Sequence, residues 1–173
     1  VNTISGTLHD EISGIVSGVA DVVDDTTPQL GGDLDTNEKN IILVPTLTTD
    51  QHASGLIAPM TCGETTVFGN VGYMNSDGKM WLSSATSNIT MPVIAMALES
   101  GNASDSKNWL FQGFVRDDGW DWAVGGPIYV STISGSITQT TVTGTGNQAQ
   151  VVGVALTSDS IVFNPSYVLV EVA

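Results

Sequence analysis

The sequence predicts a mainly β protein: a compact β-barrel or sandwich body, preceded by a short N-terminal helix and an extended connector. Three observations predict it. Charged residues make up only 13% of the chain against 41% hydrophobic. Much of the rest is Thr, Ser, Gly and Asn, which with Val and Ile suits pleated strands and tight connections. Short apolar runs recur from Met60 onward, bounded by turn signals such as Asn75-Ser76-Asp77-Gly78, Asp117-Asp118-Gly119, Gly125-Gly126-Pro127, Ser134-Gly135 and Gly144-Thr145-Gly146-Asn147. Helical spacing, by contrast, is confined to the start of the chain.

In residues 1–25, Leu8, Ile12, Ile15, Val19 and Val22 follow one another at alternating gaps of four and three, a heptad seam. Thr7 is placed to cap a helix, and Asp10 and Glu11 suit its first turn, where the helix dipole favours acids. Gly14 and Gly18 weaken it by about 1 kcal/mol each relative to Ala, and a helix this short is marginal in isolation. The seam must therefore be buried, against sister chains or against the following domain. Ile and Val at both seam positions favour three strands, so these five residues are the expected trimer contacts. The other outcome is an amphipathic helix packed on its own domain.

Residues 26–59 read as the connector. Pro28 and Pro45 bar a continuous helix, and Gly31-Gly32 permits a sharp change of direction. Within it, Ile41 to Val44 forms an apolar strand-like run. Residues 60–173 are the body, which looks internally duplicated. Pro92 to Ser100 (PVIAMALES) aligns with Gln150 to Ser158 (QVVGVALTS), and the hairpin Val71 to Lys79 aligns with Pro127 to Gly135. Tyr73 matches Tyr129, and Gly78 and Gly135 fall at the two turns. Each unit is expected to be a hairpin followed by an apolar strand covered on both faces, the two units closing face to face.

Charge narrows the functional classes. Four Lys+Arg stand against eighteen Asp+Glu, a formal net charge of −14. Such a surface repels phosphate backbones and anionic lipid, so neither nucleic acid nor membrane is an expected partner. It suits solubility and docking onto a basic patch. Cys62 is the only cysteine, which excludes an intrachain disulfide and a Cys-based zinc cluster. No apolar run reaches the length of a membrane span, and no signal-peptide pattern is expected at the start.

The inventory for chemistry is thin. Asp33-Leu34-Asp35-Thr36-Asn37 has the opening spacing of a calcium loop, but its sixth position is Glu38 and its twelfth Val44, which rules out EF-hand geometry. No metal or other cofactor is expected. Asp117 and Asp118, beside Trp120 and Trp122, are the candidate surface-recognition residues, because carboxylates next to aromatic faces suit sugars. Glycoside hydrolysis, however, needs two carboxyls held across a cleft, and neighbouring turn residues rarely supply that. The simpler expectation is an acidic turn with both tryptophans on one side of a strand, packed on the body or on a neighbouring subunit. With only His9 and His52, and without Gly-x-Ser-x-Gly or P-loop patterns, no enzyme is expected.

The run Asp24 to Asp35 (DDTTPQLGGDLD) resembles a segment that recurs in tail-fibre and related structural proteins of tailed phages. Gly113 to Trp122, Gly126 to Ser131 and Val151 to Leu156 resemble the β-domain at the ends of such proteins, and more loosely the small trimeric decoration (cement) proteins of phage heads. The resemblance implies a homotrimer on the outer surface of the virion, assembled in the host cytoplasm. Its partners would be the major capsid protein or a tail or neck component. It transfers no catalytic residue. A long fibre shaft is missing, which favours a decoration protein or short spike over a host-range fibre. The alternative is a host-receptor module that binds a glycan through its exposed tryptophans.

Overall fold

The computed structural model describes Glu38 and residues 40–173. The chain divides into two compact units, Val1–Ile41 and Ile42–Ala173. The expected seam residues Leu8, Ile12, Ile15, Val19 and Val22 lie outside the described residues, as do the expected helix and the run Asp33 to Asn37.

The described residues are mainly β, with 39% strand and 2% helix, and the principal sheet is curled into a half-barrel. The sheet is organised on one strand. β5 (Ser106–Arg116) pairs along one whole edge with β1 (His52–Thr61), from Thr61↔Ser106 to His52↔Arg116. Two other strands share its second edge. β4 (Ala95–Ala97) takes Trp109 and Leu110, while β10 (Ser160–Phe163) takes Gly113 to Arg116. The sheet therefore forks at the middle of β5.

One arm runs from β4 to β2 (Val71–Met74) and β3 (Met80–Leu82). The other runs from β10 to β9 (Val151–Ala155), β6 (Pro127–Val130) and β7 (Ile137–Thr138). A separate short ladder joins β8 (Gln148–Ala149) to β11 (Val170–Glu171). The two stretches that align in the sequence hold like places in the arms, down to register: Val71↔Met96 and Gly72↔Ala95 correspond to Pro127↔Val154 and Ile128↔Gly153.

The arms are parts of one sheet rather than two units stacked face to face, and the reason lies in β5, whose second edge supplies backbone partners to both. Their far ends meet through turns. Val71 N–H donates to Gly135 O (2.9 Å), Gly135 N–H to Ser83 O (2.8 Å) and Ala85 N–H to Ser131 O (2.9 Å). Gly135, at φ +72°, packs against Asn70 and Leu82, where a side chain would collide.

Three further differences separate the structure from the sequence expectation. The body begins at His52 rather than Met60, because β1 gains a full-length partner in β5 that its own composition does not announce. Ile41 to Val44 forms no ladder among the described residues. β9 is covered on one face only, with Val151 and Val154 exposed, whereas all of β4 is buried.

β4 is buried twice over because the fork creates two cores. Inside the curl lie Val71, Met96, Leu110, Val115, Ile128, Val152, Ile161 and Phe163. Behind β4 and β5, Trp109 packs with Cys62, Met80, Ala95 and Ala97. The small residues there make room for the indole, and a Cβ on Gly72 would stand 2.9 Å from the Trp109 ring.

Two features hold the fork. Gly55 and Gly113 face each other across β1 and β5, next to a register shift at Leu56/Ile57. A Cβ on Gly113 would meet Ser54 O at 2.3 Å, and its φ of +154° is one that side chains rarely adopt. The second feature is Gln150, buried at the head of β9. Its side-chain amide accepts from Val93 N–H (2.8 Å) and donates to Val93 O (3.0 Å) and to Ser166 O (2.5 Å). A side chain thus stands in for a strand between the two arms.

Gly113→Ala is expected to lower stability by about 3 kcal/mol through backbone collision and strain. Gly78→Ala, at φ +75° with no atom nearby, should cost about 1 kcal/mol. Urea unfolding of both variants measures the difference. Gln150→Ala leaves buried backbone groups of Val93 without partners and should cost about 3 kcal/mol in the same assay.

Candidate functional site: the Arg116 corner

β5 ends at Arg116, the only arginine in the chain. Its guanidinium collects three acceptors. Nε donates to Asp118 Oδ1 (2.7 Å), Nη2 pairs with Asp159 Oδ2 (2.5 Å) and Nη1 donates to Leu47 O (3.2 Å). These belong to the turn after β5, the turn between β9 and β10, and the segment before β1. The planar fork of Arg suits several acceptors at fixed angles, which Lys would not reproduce.

Leu47 is buried although most of residues 40–51 are exposed, so this contact anchors that segment to the body. A groove of about 240 Å³ beside the anchor is lined by Pro45, Leu47, Arg116, Leu156 and Ser160, among others. A second groove, of about 370 Å³, is walled by hydroxyls from Thr138, Thr140, Thr141 and Thr143.

The acidic turn is held from within. Asp117 Oδ1 accepts from Gly119 N–H (2.8 Å), and Asp117 N–H donates to Asp159 O (2.9 Å). Asp118 N–H donates to Asp50 Oδ1 (2.8 Å). Asp117 thus shapes the turn, while Asp118 binds Arg116.

Trp120 and Trp122 follow in irregular chain rather than on a strand, because Trp122 N–H is taken by Ser158 O (2.7 Å) from the neighbouring turn and not by a ladder. Both rings are half-buried against the core inside the curl, 5.6 Å apart and tilted by 52°. Each ring therefore spends part of its surface on the core and on the other ring.

His52 and Cys62 come no nearer in space. They flank β1 from opposite ends, roughly 30 Å apart at about 3.3 Å per residue. Cys62 is fully buried, its Sγ 3.6 Å from Thr66 Oγ1. Among the described residues no group of three or more His, Cys, Asp or Glu is placed to hold a metal ion, and no helix is long and apolar enough to cross a membrane.

Sequence reasoning placed Arg116 inside the acidic run but missed its role as a hub. The signal was available: a lone arginine among so many acids is bound to be contested by several of them. Leu47 and Gln150 had no comparable signal. No protein-family model matches the chain, and no curated protein is significantly similar to it.

The Asp159 carboxyl is held below its ordinary range, first by the hydrogen bond from the Thr157 hydroxyl and then by the Arg116 guanidinium, against a desolvation that works the other way. A depressed folded-state value means that the ionised carboxylate adds stability above the unfolded value of 3.8, and that this contribution is lost as pH falls through the lower folded value. Asp159→Asn should therefore lower the thermal midpoint at about pH 6, and the gap from the parent should close on approaching about pH 2. Thermal unfolding across that range checks it.

Proposed function

We propose that this chain is a non-enzymatic, homotrimeric structural protein of a tailed-phage virion, displayed on the particle surface as a capsid decoration protein or short spike. The observation that carries the reading is where the body leaves its apolar residues. It buries a complete core of its own and still exposes Ile42, Leu56, Val151, Val154, Tyr167, Val168 and Val170. In a chain of −14 net charge, these exposed apolar side chains offer contacts to another chain. The resemblance of Asp24 to Asp35 and of the body segments to phage structural proteins names the setting.

The rest of the body agrees with a passive role. The most unusual sequence in the chain, Arg116 to Trp122, is occupied with holding three turns together, and its carboxylates serve the fold. A curled sheet whose arms are tied by turn hydrogen bonds suits a module that must keep its shape on an exposed particle. The acidic surface suits a basic docking patch on a capsid or tail protein.

Light scattering on the full chain should give three times the 18.0 kDa chain mass. Truncation before Asp24 should weaken trimerisation or particle attachment while the body still unfolds at its parent temperature. Gold labelling of the protein on virions should decorate the head or the tail. A stable monomer that labels no particle refutes the reading.

A further inference from the structure

β1 is the exposed flank of the body. It pairs with β5 along one edge, and among the described residues no backbone hydrogen bond reaches its other edge. Apart from Pro59 and the irregularity at Leu56/Ile57, this ten-residue strand presents N–H and C=O groups to any passing strand. Proteins that must stay apart block such edges with charge. In a chain of −14, β1 (HASGLIAPMT) has no Asp, Glu, Lys or Arg, and Leu56 is 66% exposed.

The chain also holds a strand-prone segment outside the sheet. Ile41, Ile42, Leu43 and Val44 are all exposed, Ile42 at 87%, and none joins a ladder. Three of the four are β-branched, the side chains that favour strands. Val44 N–H is given to the Ser54 hydroxyl (3.2 Å) rather than to a backbone carbonyl, so the segment passes its own β1 without pairing. Leu47 then pins the chain to the Arg116 corner.

We propose that Ile41–Val44 of one copy adds as a strand to the free edge of β1 in the next copy around the trimer. This rests on the trimeric reading above and supplies a contact for it. A closed ring of three needs two different surfaces per chain, a donor and an acceptor, whereas pairing β1 with β1 is two-fold and stops at a dimer. Among the described residues, Ile41–Val44 is a strand-prone segment outside any ladder, and β1 is the longest strand with an unpaired edge. Both lack charge, so strongly acidic copies meet where their mutual repulsion is least. Main-chain hydrogen bonds supply the attraction, and Ile42 and Leu56 lose their water.

The test uses the full chain. Ile42→Asp and Leu56→Asp should each shift the species from three chain masses to one in light scattering, with the thermal unfolding of the body unchanged. Combining Ile42→Asp with Leu56→Lys should restore the trimer. Oxidising a mixture of Ile42→Cys and Leu56→Cys chains should yield a two-chain disulfide band, with Cys62 buried out of reach. Trimers that survive both Asp substitutions, or an oxidised mixture that gives no two-chain band, overturn the strand exchange and leave the trimer standing. A monomeric parent chain overturns both.

Discussion

The close passage of Gly55 and Gly113 is the constraint on which the body depends. A strand has two edges, and β5 gives one entirely to β1 and divides the other between β4 and β10. To serve two arms, β5 must change direction midway. It does so beside the register shift, where backbone atoms of the neighbouring strands come closer than any Cβ allows. Glycine is costly inside a strand on entropic grounds. That cost is offset by burial, since the turn in β5 is what lets one continuous sheet wrap Phe163, Leu110 and Ile161.

A sheet that curls must also deal with the backbone groups left over where its arms come together. Here two devices share that task. At one place the turns of the two arms bond directly, through Gly135, Ser83, Ala85 and Ser131. At the other, the Gln150 amide reproduces the donor and acceptor pattern of a peptide group against Val93. A buried primary amide carries a desolvation cost of several kcal/mol if unmatched. Both its nitrogen and its oxygen are matched, so the polar group closes the structure instead of weakening it.

Much of this was legible in the chain, and the parts that were not share a cause. The hairpins were readable because Gly78 and Gly135 encode their turns locally, and both have positive φ. The register of β2 on β4 recurs residue for residue in β6 on β9, which is why the two segments align as sequence. β1 was read as connector because neither alternation nor β-branched enrichment marks His52 to Thr61 as a strand; its partner lies some fifty residues away and imposes the conformation. The same holds at the candidate site. Asp117 and Asp118 were correctly read as a turn, yet the agents that organise it, Asp159 and Leu47, are remote in sequence. Trp120 and Trp122 were placed on a strand because their spacing of two fits one, but a hydrogen bond from a distant turn takes the backbone out of the ladder.

The scarcity of basic residues has a bearing on how proteases meet this body. From Ile42 onward the chain contains Lys79, Lys107 and Arg116, and each is occupied. Lys79 reaches Ser104, Lys107 sits in β5 opposite Met60 and faces Glu99, and Arg116 is clamped by two carboxylates. Proteases of the trypsin type cut extended chain after Lys or Arg. In this folded body the bonds they need lie in or beside paired backbone, with the recognised side chains turned to other partners. Few sites for trypsin-type cleavage then follow from amino-acid usage, and the fold engages the side chains that would mark them.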